Sequence, residues 1–233
     1  RALPANSDER PESNKQRTMK NRSTIAIFSE WQRLALGQSG SLLAPQRESI
    51  QPRKLGRHLS DLFFLEEDQN GELIFRLAGT RICALFGREL KTTRFLSLWP
   101  ERNRPALNEL ARNINSHLVP ALSQNDGISL SGRSLSFEML LAPLESGEDG
   151  RLNLLGSISV LNDVAWAGAD PLVLGNLNRI EPLAPDLVVT QEIRKPSIVT
   201  MNGANAANST RRWATPVPTR DMPALRVIPG GKA

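Results

Sequence analysis

The chain carries one cysteine and two histidines in 233 residues, and it has no unbroken apolar run long enough to cross a bilayer. Each shortage removes a class of protein. Cys83 cannot form an intramolecular disulfide, and Cys83 with His58 and His117 cannot assemble the four-ligand set of a structural zinc site. No Cys-x-x-Cys-His is present for covalent haem attachment, which leaves a single axial histidine as the haem arrangement still open. A membrane helix needs roughly 18 consecutive apolar residues. The first residues are polar and lack the apolar centre of a secretory signal. The expectation is a cytoplasmic protein with no membrane association. Cys83 reads as a buried structural thiol, since a redox sensor would need an exposed thiol of lowered pKa.

Reactive patterns are equally scarce. No spacing brings titratable groups together as catalysis requires, so the reading is a protein without enzymatic activity and without a specified cofactor. Gly37-Gln38-Ser39-Gly40 is neither flanked by a strand nor followed by the lysine of a phosphate-binding loop. Glu66, Glu67 and Asp68 read as a solvated acidic shoulder of a hairpin rather than a metal site. His117 falls near the end of a predicted helix, where a protonated imidazole suits the dipole.

The net charge of +5 is concentrated at the ends. Residues 1–22 hold six Lys/Arg against three Asp/Glu, residues 23–163 fifteen against sixteen, and residues 164–233 eight against five. A nearly neutral body argues against a nucleic-acid-binding face, which would carry a basic stripe. The hydrophobic fraction of 39% is low, and the deficit also lies at the ends. Residues 1–22 are expected to be a disordered extension, with residues 1–18, ahead of Met19, an upstream addition. Residues 164–233 are expected to be a mostly disordered tail with a candidate docking segment at 224–231.

Between these ends lies patterned sequence. Ser23 or Thr24 caps a predicted amphipathic helix with Ile25, Phe28, Trp31, Ala35 and Leu36 on one side, ending at Gly37. The body is organised around Leu62–Leu98. There Leu62–Leu65 and Ile74–Leu77 flank Asn70-Gly71, a dipeptide suited to the positive φ of a hairpin turn. Periodicity then becomes helical, with Ile82, Leu85 and Phe86 on one face and Gly87 at the stop. Pro105 opens a longer helix with Leu107, Leu110, Ala111, Ile114 and Leu118 as its stripe, ending before Pro120. Three further strands follow, the clearest marked by Leu135, Phe137, Met139 and Leu141.

RLAGTRICALFGREL at 76–90, with Phe95, Leu98 and Trp99, resembles the hairpin and first helix of a short proteobacterial PAS-like family. FEMLLAPL at 137–144 and LLGSISVL at 154–161 resemble its last two strands. The resemblance runs from about Ser23 to Asp163 and implies an α+β fold: a five-stranded antiparallel sheet with helices packed on one face, preceded by the amphipathic helix. It carries over no catalytic residues. It implies a sensory or regulatory module acting through protein contacts, by a partner or by self-association, with a small-molecule ligand as a modulator. Phe28 and Trp31 are the candidate dimer contacts. Leu77, Phe86, Phe95, Trp99, Leu110, Phe137 and Met139 are the candidates to line a pocket between sheet and helices, against the alternative that they simply fill a core. The other functional reading is an anion- or nucleotide-binding regulator in which Arg53, Arg57, Arg76 and Arg81 grip phosphates with their planar donor forks.

Overall fold

The computed structural model describes residues 19–37, 42–147, 149–162 and 164–184. The helices are α1 (Arg22–Ala35), α2 (Pro52–Leu55), α3 (Thr80–Leu85) and α4 (Arg104–His117). The strands are β1 (Leu62–Glu67), β2 (Leu73–Ala78), β3 (Ala121–Ser129), β4 (Ser134–Pro143), β5 (Asn153–Val160) and β6 (Leu172–Pro182). Every strand pair is antiparallel, in the order β2-β1-β5-β4-β3-β6.

Local chemistry explains most boundaries. Gly71 takes φ +76° at the β1–β2 turn, and the Asp68 carboxylate accepts hydrogen bonds from the backbone N–H of Asn70 and Glu72, both at 2.9 Å. Pro105 sits in the first turn of α4, and Leu118 ends that helix in the left-handed region at φ 55°. The N-cap of α1 is Asn21, not Ser23 or Thr24: its side chain accepts from Ser23 N at 2.8 Å. The reason is tertiary. Glu138 of β4, fully buried, accepts the backbone N–H groups of Lys20 at 3.0 Å and Asn21 at 2.8 Å, and Asn21 Nδ2 donates to Val160 O. The helix start is thus tied to the sheet by a carboxylate 117 residues away.

Each face of the sheet has its own core. On one, Phe63, Leu65, Phe75, Phe137, Met139, Leu141, Leu154 and Ile158 pack under α3, α4 and the 3-10 turn Phe95–Leu98. On the other, Leu62, Leu122, Leu140 and Leu155 pack under α1. The intervening helices lie on one face as expected, and α1 covers the opposite one. Phe28 and Trp31 belong wholly to this second core: both are fully buried, their rings 6.0 Å apart, and Trp31 Nε1 donates to Pro143 O at 2.7 Å. Phe28 and Trp31, expected as dimer contacts, are thus committed to this core, because the apolar stripe of α1 is used up by its own sheet.

The sheet has six strands rather than five. β6 lies in the stretch read as the start of a tail, and it pairs with β3 from Ser129↔Leu172 to Ala121↔Pro182. Two irregularities, at Gln124/Asn125 and Ile128/Ser129, break its alternation. Gly175, which looks like a strand breaker, is demanded by packing. A Cβ there would stand 2.9 Å from the Trp99 ring and 3.2 Å from Phe137. Expectations placed on residues 1–18 and 185–233, including the docking segment at 224–231, lie outside the described residues.

Candidate functional site

Six of the seven candidate pocket residues meet between the sheet and its helices. Phe86, Phe95, Trp99, Phe137 and Met139 are buried there, and Leu110 packs against them. Aromatic rings run through this layer in contact: Phe63–Phe75 at 5.4 Å, Phe75–Phe95 at 5.9 Å, Phe95–Trp99 at 6.0 Å and Trp99–Phe137 at 6.1 Å. Offset and edge contacts at these separations are those of packed rings. Two buried polar atoms in the layer, Trp99 Nε1 and Asn125 Oδ1, have no hydrogen-bond partner in the structure.

Leu77 lies elsewhere and is 42% exposed. The β1–β2 ladder pairs Leu65 with Phe75 but Phe64 with Leu77, so one residue of β2 is extra. That bulge turns Leu77 to the α1 side beside Phe64, breaking the alternation that would have put it with Phe75.

A second space, about 580 Å³, was not legible in sequence. Its walls are Asp61, α3 (Arg81, Ala84, Leu85), the end of β5 (Ile158, Val160) and the β5–β6 connection (Leu161, Asn162, Val164, Ala165, Ala167, Gly168). Three close approaches build it. Gly79 N donates to Leu62 O at 2.8 Å, and a Cβ on Gly79 would fall within 2.5 Å of the Leu59 and Ser60 carbonyl oxygens. This contact sets Asp61, at the end of the 3-10 turn Gly56–Asp61, against the first turn of α3. Gly87, at φ +63°, leaves room for Pro171, whose Cγ would otherwise lie 2.5 Å from a Cβ. Asp170 then accepts from Ser129 Oγ at 2.7 Å and from Ser131 Oγ, which fastens the connection to the β3–β4 turn.

Within the cleft, Arg81 Nη1 donates to Asp61 Oδ2. The pair is asymmetric: the Asp61 side chain is 4% exposed and that of Arg81 59%. Burying a carboxylate is costly unless it is paired and hydrogen-bonded, so Asp61 is a fixed anchor for an otherwise open guanidinium. Beside it, His58 shares a 2.9 Å hydrogen bond with Ser23 Oγ. Burial, and then the charges of Arg57 and Arg81, lower the His58 pKa, while Asp61 opposes them. A histidine with a depressed folded-state pKa favours folding while neutral. Its contribution is complete above the unfolded value of about 6.5 and is lost as pH falls from there through the folded value. Urea midpoints between pH 7.5 and 5 should therefore decline less steeply for His58→Asn than for the parent chain.

The four arginines of the anion-binding reading occupy four elements. Arg53 is in α2 and Arg57 in the turn after it. Arg76 of β2 pairs with Glu66 at 2.7 Å, and Arg81 pairs with Asp61. Two of the four are thus engaged by carboxylates already. Cys83, half-buried in α3, has its pKa raised, chiefly by burial, which holds it as a thiol. His117 ends α4. Among the described residues no cluster of three or more His, Cys, Asp or Glu could hold a metal ion, and no helix is long and apolar enough to cross a membrane.

Comparison with known proteins gives the family. No curated protein is similar enough to match. Among solved structures, a Rhodobacter sphaeroides LOV protein is 14% identical with a TM-score of 0.35, over 46% of this chain and 61% of its own. The chain thus spans less than two thirds of that protein. A light-oxygen-voltage domain studied with a flavin analogue is 17% identical with a TM-score of 0.35, over 47% of this chain and 82% of its own. The model of the PAS domain family matches residues 19–159, from the residue that precedes the tie to Glu138 to the last but one residue of β5. That match covers more than half of the sequence, and the chain belongs to the PAS domain family.

Proposed function

We propose that this PAS domain is a non-catalytic sensory or regulatory module that acts through protein contacts and is modulated by a small ligand. The observation that carries the reading is an apolar patch at the open end of the sheet. Ile128 is 48% exposed, Leu130 78% and Val173 49%, and they are neighbours: Ile128 pairs with Leu174, and Leu130 N donates to Pro171 O at 2.9 Å. Large apolar side chains grouped on a surface mark an interaction site more often than scattered ones do.

The patch and the cleft share one piece of chain. The β5–β6 connection forms a wall of the cleft, then passes through Asp170 and Pro171, bonded to Ser129, Ser131 and Leu130, into Val173. A ligand bound in the cleft would hold that connection and bias the patch, the differential contact that any ligand-driven shift requires.

Light scattering on the full chain over a concentration series tests the contact. The parent is expected to exceed its monomer mass of 25.7 kDa, and Leu130→Glu to return to it with an unchanged urea midpoint. A parent mass of 25.7 kDa at every concentration overturns self-association. A photo-crosslinker at position 130 that captures no protein in the native cell overturns the contact reading as a whole.

A further inference from the structure

The walls of the cleft are chemically lopsided. Leu85, Ile158, Val160, Leu161, Val164 and the neighbouring alanines offer hydrocarbon, while Arg81 is the one cation among the described lining residues. Asp61 takes a single bond from the guanidinium through Nη1, on a side chain that is more than half open. A guanidinium has five N–H donors in a rigid fork, so an incoming carboxylate finds a planar donor edge beside the one Asp61 holds. The buried Asp61 carboxylate also limits what can bind. It offsets the charge of Arg81 locally and would repel a second negative charge a few ångströms away, which disfavours phosphate dianions and polyphosphates.

We propose that the cleft binds a monoanionic amphiphile, a carboxylate with an apolar body of about ten heavy atoms, in keeping with pockets of 300–1,000 Å³ that bury most of a ligand's surface. Its carboxylate pairs with the free edge of Arg81, and its body lies against Val160, Leu161 and Val164. The inference rests on reading the cleft as the ligand site of the module. Within that reading it assigns the site's chemical class and gives Asp61 a positioning part.

Isothermal titration of the full chain with octanoate, octylamine and octanol separates the possibilities. Octanoate is expected to bind once per chain, octanol at least tenfold more weakly, and octylamine not at all. Arg81→Met should weaken octanoate at least tenfold, and Arg81→Lys should restore part of the loss. Because Arg81→Met leaves Asp61 buried without its partner and threatens folding, two further variants keep the test decisive. Asp61→Asn, whose amide oxygen still accepts from Arg81 and keeps it in position while the competing charge is gone, should tighten octanoate binding. Ala165→Trp, at an exposed position on the cleft wall, should block it while leaving the urea midpoint in place.

Equal affinity for octanoate, octanol and octylamine would overturn the proposal, as would no heat at millimolar octanoate or an Ala165→Trp chain that binds like the parent. These outcomes are independent of the association measurements. A chain that self-associates through Leu130 yet ignores octanoate loses the ligand assignment alone. One that binds octanoate but does not respond at Leu130 loses the contact reading alone.

Discussion

Trp31→Ala is expected to cost about 3–5 kcal/mol of stability, a large fraction of what a domain of this size possesses. The indole is fully buried between α1 and the sheet, stacks near Phe28 and donates to the Pro143 carbonyl at 2.7 Å. Removing it leaves a cavity the size of an indole and a buried carbonyl without its donor. Urea denaturation followed by far-ultraviolet circular dichroism should show the midpoint falling with little change of slope. Trp31→Glu should leave the chain unfolded in buffer, because it would bury a carboxylate among the hydrocarbon side chains of Ile27, Phe28, Leu140 and Leu155. If Trp31 were a dimer contact, Trp31→Glu would instead keep its fold and lower only the solution mass. The two outcomes are opposite.

Gly156→Ala is expected to cost about 3 kcal/mol, the upper part of the range for overpacking a core. Gly156 sits in β5, opposite Phe63 of β1, and the phenyl ring lies across it. A Cβ at this position would stand 2.1 Å from Phe63 Cζ and 2.4 Å from Cε2. The ring has no easy retreat, since Phe75 lies 5.4 Å away and Phe95 6.4 Å. A double-mutant cycle measures the mechanism directly. In a Phe63→Leu background the same glycine substitution should cost about 1 kcal/mol, a coupling of the size seen between side chains in contact. A cost that is equal in both backgrounds would place the strain in the backbone of β5 rather than against the ring.

Much of the architecture was legible because it rests on short-range signals. Asn70-Gly71, Gly87 and Pro105 each sit where a local backbone demand selects that residue, and the structure turns, stops and starts at those points. The spacing of Phe137, Met139 and Leu141 placed them together on the helix-covered face of β4. The places that sequence reasoning missed share one cause, a feature defined by a distant partner. Alternation along β2 would put Leu77 on the face of Phe75, and a bulge against β1 reverses it. The N-cap of α1 was sought among hydroxyls, while Glu138 held the chain one step earlier. β6 lies in the stretch read as the start of a tail, and its Gly175, Asn176 and Asn178 are poor strand formers. Its pairing with β3 and the ring of Trp99 above Gly175 outweigh that deficit. The cleft had no signal beyond Arg81 and the small residues Ala84, Ala165, Ala167 and Gly168, which are unremarked until brought together.

The amino-acid sequence by itself determined a nearly neutral body of helices and strands, its hairpin, its helix order and which aromatics are large enough to fill its interior. These follow from periodicity, turn chemistry and the uneven distribution of charge, all of which act within a few residues. Only the tertiary structure decided which face α1 covers, that Phe28 and Trp31 are committed to that face, and that Asp61 and Arg81 meet beside an open cleft. Those outcomes depend on contacts between residues tens to more than a hundred positions apart, where the close packing of the interior, not local preference, sets what each side chain can touch.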